Sequence, residues 1–250
     1  NGNLAVTTNA NNGSINLGTL AVVGTIALTT DGTGNATVVN ASGLDLAAST
    51  VGGTLSATAT TGNIIQSGAL AITGTTTLVT TANDATITLD NTSNAFTGAL
   101  TITTNDGSGT DADATINSGT TTGLIIAAST IDGDLTLTNG HGATITDSGT
   151  VTVGGNLAVT TNANNGEINL GTLAVTGTIA LTTDGTGNAT VVNASGLNLA
   201  ASTVGGTLSA TATTGNITQS GVLTITGATT LVTSANNATI TLGSTNAFTG

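Results

Sequence analysis

The single histidine, His141, stands in Asn139-Gly140-His141-Gly142, a few residues after Asp132 and Asp134. Two carboxylates beside an imidazole could carry out general acid–base hydrolysis of a sugar chain. If the sugar chain is anionic, the enzyme also needs a cationic side chain to bind it. The chain has no Lys or Arg. We therefore interpret His141 as a solvated residue of a glycine-rich turn and expect no enzymatic activity.

An oxygen-rich stretch, NDGSGTDAD, contains Asp106, Asp111 and Asp113. Carboxylates separated by small residues are the hard oxygen ligands that Ca²⁺ takes in proteins. The spacing matches neither the EF-hand loop nor the nine-residue calcium repeat. We interpret the stretch as a solvated acidic loop, with a Ca²⁺ site as the alternative, and expect weak or no Ca²⁺ affinity and no other cofactor.

Pairs of Thr two residues apart recur on the face that alternation assigns to solvent. Flat arrays of such pairs occur on some ice-binding β-helices, so ice binding is an alternative function. These pairs fall on different faces and the coil lengths vary, so the sequence specifies no single array. Thr also suits a solvated strand face without any ligand. The pairs are Thr73 with Thr75, Thr86 with Thr88, Thr101 with Thr103, Thr136 with Thr138, and Thr150 with Thr152.

The composition excludes several classes of protein. The 250 residues include 12 acidic ones, no Cys and no Pro, and the net charge is -12. A hydrophobic fraction of 38% is too high for a disordered acidic tail, so the chain should fold. Without Lys or Arg it has nothing to neutralise phosphates, which argues against nucleic-acid binding. No apolar run is long enough to span a bilayer, so we expect no membrane insertion.

Two nearly identical blocks make up most of the chain. Residues 3–98 recur as 156–250 at an offset of 153, whereas residues 99–153 occur once. Within the blocks, segments that end in Gly recur roughly every 25 residues, a length typical of one solenoid coil. We therefore predict that residues 1–250 form a single continuous solenoid segment of a longer repetitive chain, with about ten coils.

Alternation of apolar and polar residues predicts strands within each coil. Turns rich in Gly, Asn and Asp separate three such runs per coil. The pattern predicts an all-β fold, a right-handed parallel β-helix with three short strands per coil. The coil from Ala99 to Gly123 lacks a clear middle strand, and we expect a looser loop there. The apolar pairs predicted to face inward include Leu20 with Val22, Ile26 with Leu28, Leu55 with Ala57, Ile87 with Leu89, and Leu135 with Leu137.

The two blocks differ at nine positions before Leu89, and nearly all of these are predicted to lie outside the core. A one-residue slip in register would place the changes inside, where Ser-to-Glu would be prohibitive. The substitutions therefore support the inward assignment. They are Ser14/Glu167, Val23/Thr176, Asp45/Asn198, Ile65/Thr218, Ala69/Val222, Ala71/Thr224, Thr75/Ala228, Thr81/Ser234 and Asp84/Asn237.

Several motifs resemble the repeats of large bacterial surface proteins. They are GNIIQSG (residues 62–68), its copy at residues 215–221, and NAFTGALTI (residues 94–102). Together with the LxVxGxLxLxT pattern, they are similar to filamentous-haemagglutinin-like adhesins and related β-strand-repeat proteins. The resemblance implies secretion, a right-handed β-helix and a role in attachment, biofilm or surface coating. It transfers no catalytic residue and identifies no receptor.

The expected function is structural: a rigid extracellular or cell-surface stalk or filament core. The open ends of a solenoid carry unpaired strand edges, so we expect end-to-end stacking with flanking coils or other copies. A glycan or a cell-surface receptor is a further expected partner. Ice binding and an inert sheath or surface-layer scaffold remain the alternatives.

Overall fold

The computed structural model describes residues 2–107, 111–119, 123–140 and 142–250. Every regular element in these residues is a β-strand. None of these residues forms a helix that could cross a membrane. The strands are short because Gly, Asn and Asp recur every few residues and favour turns.

The first fifteen strands, in chain order, are β1 Leu4–Thr7, β2 Ile15–Leu20, β3 Thr25–Thr29, β4 Ala36–Asn40, β5 Leu44–Leu46, β6 Ser49–Val51, β7 Leu55–Ala59, β8 Ile64–Gln66, β9 Leu70–Ile72, β10 Thr76–Asn83, β11 Ile87–Leu89, β12 Ala95–Phe96, β13 Leu100–Asn105, β14 Ala114–Ser118 and β15 Leu124–Ile126. The others are β16 Ser129–Ile131, β17 Leu135–Asn139, β18 Ile145–Asp147, β19 Val151–Val153, β20 Leu157–Thr161, β21 Ile168–Val175, β22 Thr178–Thr182, β23 Ala189–Asn193, β24 Leu197–Leu199, β25 Ser202–Val204, β26 Leu208–Ala212, β27 Ile217–Gln219, β28 Leu223–Ile225, β29 Thr229–Thr233 and β30 Ala247–Phe248.

These strands wind into a parallel β-solenoid of about eleven coils, with about 21–25 residues and three strands in a typical coil. Strand β7, for example, pairs in parallel with β4 one coil before it and with β10 one coil after it. The strands form two sheets, sheet A beginning with β1 and β3 and sheet B with β2 and β4. The predicted all-β solenoid is confirmed. At about 4.8 Å per coil, eleven coils stack to a height of about 50 Å.

Inward-facing aliphatic side chains form columns that run through successive coils. Leu89, Ile116, Leu137, Val159 and Leu181 are in register from one strand to the next. Each of them is buried. Because every coil buries the inward side chains of its two neighbours, this core is continuous along the stack and has no separate globular centre.

The exposure of the nine substituted positions confirms the predicted inward assignment. None of the nine is buried in either block, while Ile26 and Leu28 are completely buried. Variation between the blocks is thus confined to the surface, and the core residues are the same in both copies.

The described residues of the coil from Ala99 to Gly123 include a strand that the sequence analysis did not predict. Its middle segment forms the strand β14, which pairs in parallel with β11 and β17. The prediction that this coil lacks a clear middle strand is therefore wrong. Ala114 and Ser118 occupy inward positions but carry little hydropathy signal, and the neighbouring strands supply the ladder that the alternation alone does not reveal. The looser loop expected in this coil falls in part on residues 108–110 and 120–122, which lie outside the described residues, and it stays a prediction.

The long repeat corresponds to a whole number of coils. Following the pairings from β3 through β5, β8, β11, β14, β17 and β20 leads to β22 after seven steps. Strand β22 has the same sequence as β3 and occupies the equivalent position in the second block. Equivalent strands of the two blocks therefore lie on the same sheet, seven coils apart.

Candidate functional site

The two aspartates near His141 serve as hydrogen-bond acceptors for neighbouring coils. Oδ2 of Asp132 accepts the backbone N–H of Asp106 at 2.9 Å. Oδ1 of Asp134 accepts the backbone N–H of Asn156 at 2.6 Å. His141 itself lies outside the described residues. Both carboxylates are thus engaged in holding adjacent coils together, which is a structural role.

The three candidate calcium ligands have different surroundings. Asp106 lies beside Asp84 of the preceding coil, and the two side chains are hydrogen-bonded. Oδ1 of Asp113 instead accepts the backbone N–H of Asp134 at 2.7 Å, and Asp111 is exposed. Within the described ranges, no three carboxylate or imidazole groups converge in a way that could hold a metal ion. Weak or no Ca²⁺ binding by Asp106, Asp111 and Asp113 stays a prediction.

The carboxyl group of Asp84 has a pKa raised above its ordinary value. The largest cause is the hydrogen bond to the Asp106 side chain, followed by desolvation and by the negative charges of Asp106 and Asp111. A raised pKa in the folded state means that the stabilising contribution is complete at low pH and is lost as pH rises through the folded pKa. At neutral pH the two carboxylates therefore repel each other.

We expect Asp84→Asn to raise the melting temperature at pH 7 and to have a smaller effect near pH 3. Asn stands at the equivalent position in the second block, where Asn237 has φ 63°, close to the 60° of Asp84. Asn tolerates this left-handed backbone, and that contribution is independent of pH. Thermal unfolding at both pH values separates the two effects. A gain of the same size at pH 3 and pH 7 would contradict the charge-based explanation.

The outward Thr pairs are divided between the two sheets. Thr88 lies in β11 and Thr136 in β17, both of sheet A, whereas Thr101 lies in β13 and Thr152 in β19, both of sheet B. An ice-binding face needs its pairs in one flat array. Among the described residues, these pairs are not collected on one face.

At three places a buried serine supplies a hydrogen bond where the register between coils shifts. The register shifts by one between β3 and the bent pair β5 and β6, since Ile26 pairs with Leu46 but Thr29 pairs with Thr50. At this bend Oγ of Ser49 accepts the backbone N–H of Leu28 at 3.0 Å and donates to the carbonyl of Ala47 at 2.8 Å. The hydroxyl thus replaces a missing peptide group. Ser129 and Ser202 make the equivalent bonds to Ile102 and Leu181.

Buried side-chain amides replace peptide groups in the same way. Oδ1 of Asn40 accepts the backbone N–H of Val22 at 2.9 Å, and its Nδ2 donates to the carbonyl of Val22 at 2.8 Å and to that of Gly43 at 2.6 Å. Asn193 makes the equivalent bonds to Val175 and Gly196. Because the amide satisfies both polar groups of one residue of the preceding coil, it extends the ladder past the end of the strand.

A reciprocal amide pair joins two further coils. Nε2 of Gln66 donates to Oδ1 of Asn94 at 2.9 Å, and Nδ2 of Asn94 donates back to Oε1 of Gln66 at 2.8 Å. Oδ1 of Asn94 also accepts the backbone N–H of Leu70. Gln219 and Asn246 form the same pair in the second block.

Sequence reasoning missed these interior polar residues as a group. One signal could have found them: Asn40 ends the inward set of Ala36 and Val38, so the alternation places a polar side chain inside. The recurrence of Ala-Ala-Ser-Thr at residues 47–50, 127–130 and 200–203 is a second signal. All of these side chains form hydrogen bonds with backbone groups of adjacent coils, and their role is to hold the coils together.

The comparison with protein families fits this architecture. Residues 33–103, 111–170 and 186–250, well over half of the chain, match the family described as "Repeats of unknown function (DUF5649)". The chain belongs to this repeat family. No curated protein and no solved structure gives a significant match. The DUF5649 description assigns no activity, and in this chain the DUF5649 repeats form a parallel β-solenoid.

The DUF5649 repeats are shorter than the repeat that relates the two nearly identical blocks. Their matches begin at residues 33, 111 and 186, so they are 78 and 75 residues apart. The first strands within the three matches, β4, β14 and β23, lie in sheets B, A and B. One repeat therefore spans about three and a half coils, and each begins on the opposite sheet from the last. Residues 99–153 have no nearly identical second copy in the chain, but most of them belong to the middle match, residues 111–170.

Proposed function

We propose that this DUF5649 chain is a rigid structural segment of an extracellular or cell-surface fibre, acting as a stalk or filament core. The continuous aliphatic core that joins every coil to the next is the observation that carries the proposal. A stack with one uninterrupted core resists bending, because bending must open contacts between coils along one side.

Two further properties suit exposure outside the cell. The chain has no Lys or Arg, so trypsin-like proteases have no site at which to cleave it. It has no Cys, so its stability is independent of the redox state of the surroundings. The acidic side chains, eleven Asp and one Glu, give a net negative charge that keeps neighbouring rods apart. The similarity to filamentous-haemagglutinin-like adhesins supports the same setting.

The rod can be tested by its length. We expect tandem chains of one, two and four 153-residue blocks to lengthen by a constant increment of about 34 Å per block, since each block adds seven coils at about 4.8 Å. Small-angle X-ray scattering and negative-stain microscopy would measure this increment. An increment that shrinks as blocks are added would indicate a flexible string of domains and would contradict the proposal.

The cellular setting needs a separate measurement. Antibodies raised against this chain should label intact cells of the source organism, and protease treatment of those cells should leave the labelled segment largely intact. Labelling only after permeabilisation would place the rod inside the cell. Binding of the segment to a glycan array or to host cells would distinguish an adhesin from an inert sheath, since only the adhesin needs a face that binds.

A further inference from the structure

A groove on sheet A is formed by three consecutive coils of the first block. Thr25, Asp45 and Ile65 are in register on adjacent strands. The lining of the groove includes Val23, Asp45 and Ile65, together with Gly43, which has no side chain. The groove has a volume of about 320 Å³. Val23 is 72% exposed and Ile65 is 43% exposed, so both side chains present aliphatic surface to solvent.

The second block has the same groove with a different lining. It has a volume of about 280 Å³, and Thr176, Asn198 and Thr218 replace Val23, Asp45 and Ile65. Three of the nine substitutions between the blocks thus meet at one place. Together they exchange an aliphatic and acidic lining for a neutral polar one. Such a concerted change alters what the groove can bind while leaving the fold untouched.

The charge of the first groove argues against a copy of this chain as the matching partner. The chain has no Lys or Arg with which to meet the carboxylate of Asp45. Oδ1 of Asp45 is shielded from solvent and accepts no hydrogen bond from the described residues, so a cation can approach this carboxylate only at Oδ2. A matching ligand must bring a cation together with apolar surface for Val23 and Ile65. Lys and Arg side chains combine a cationic head with an aliphatic stem.

We propose that the groove around Val23, Asp45 and Ile65 docks a segment of a partner protein in which an Arg or Lys lies beside an aliphatic residue. The cation meets the carboxylate of Asp45, and the aliphatic neighbour covers Val23 and Ile65. An exposed ion pair alone contributes little, so binding depends on the aliphatic side chains as well. The groove around Asn198 lacks both features and does not bind the same segment.

The test uses the whole chain with isotope-labelled Val and Ile methyl groups and the peptide acetyl-Leu-Arg-Leu-amide as the probe. The neutral control peptide carries citrulline in place of Arg. We expect saturable shifts of the Val23 and Ile65 methyl signals with the Arg peptide, and at least fivefold weaker binding of the citrulline peptide.

Two matched variants are available from the chain itself. Combining Val23→Thr, Asp45→Asn and Ile65→Thr reproduces residues that the second block already carries, so the fold should persist. This variant lacks the Val23 and Ile65 methyl groups, so its affinity for the Arg peptide is measured by isothermal titration calorimetry beside the unsubstituted chain, and we expect saturable binding to be lost. The reverse set, Thr176→Val, Asn198→Asp and Thr218→Ile, should create a second site of similar affinity. Circular dichroism and the length of tandem chains check the rod independently of the groove.

Four results would overturn the proposal. They are the absence of a saturable shift, equal binding of the citrulline peptide, unchanged binding in the first variant, and no gain in the reverse variant. If CaCl₂ alone gave the same shifts and displaced the peptide, the groove would be a cation site. If the first variant abolished a concentration-dependent self-association, the occupant would be a second copy of this chain.

Discussion

In the isolated 250-residue segment, Phe96→Ala is expected to lower the free energy of unfolding by about 3–5 kcal/mol, whereas Phe248→Ala should cost about 1 kcal/mol. The two residues stand in the same Asn-Ala-Phe-Thr-Gly sequence and pair with equivalent residues, Phe96 with Ile72 and Phe248 with Ile225. Phe96 is completely buried, while Phe248 is 43% exposed. The difference between the two losses therefore measures what a further coil contributes to its neighbour.

This comparison needs a local as well as a global measurement. A solenoid can unfold from its ends coil by coil, so a denaturation midpoint can average over several steps. Hydrogen exchange of the amides near each Phe, together with guanidinium denaturation, would report the two losses separately. Equal losses at both positions would show that stacking of coils over the aromatic ring adds little, contrary to the continuous-core explanation.

Asn40→Asp is expected to destabilise the chain by about 3–5 kcal/mol at neutral pH. The substitution keeps the acceptor for the N–H of Val22 but removes the donor, so that a carboxylate oxygen faces the carbonyls of Val22 and Gly43. Burial and these carbonyls should raise the pKa of the new carboxyl group. The loss should therefore be largest above that pKa and smaller in acid, where the group is protonated.

The chain supplies both a replicate and a control for this change. Asn193→Asp should give a similar loss, because Asn193 makes the same bonds in the second block. Val39→Thr changes the outward side of the same strand and should stay within about 0.5 kcal/mol of the unsubstituted chain. Denaturation at pH 7 and pH 4 would measure all three. A loss at Asn40 no larger than that at Val39 would contradict the peptide-replacement role of the amide.

Much of the fold could be predicted because it depends on a period that the sequence repeats many times. The inward positions of Ile26 and Leu28 follow from alternation, and the substitution of Ser14 by Glu167 confirms which face is outside. Strand β14 was missed because Ala114 and Ser118 carry almost no hydropathy signal. Its strand conformation is imposed by β11 and β17 on either side, and this tertiary effect cannot be derived from one coil.

The roles of the buried polar side chains and the position of the groove could not be predicted from the sequence, for a different reason. The role of Ser49 depends on a one-residue register shift between coils, and that shift is a property of two strands together. Likewise Val23, Asp45 and Ile65 are 20 and more residues apart in the chain, and only the coil register brings them to one place. Comparison of the two blocks identified these three as variable surface residues but gave no reason to group them.

The alternation of DUF5649 repeats between the two sheets determines how a long fibre would display its surface. Any loop or patch carried by every repeat would emerge on one flank and then on the other, with successive copies about 17 Å higher along the rod. Such a fibre would have no preferred side, so it could cross-link partners on both flanks. A patch carried by every second repeat would instead appear on one flank only. The Val23 groove and its counterpart around Asn198 are two repeats apart on the same sheet, so they give a single flank two different linings in turn.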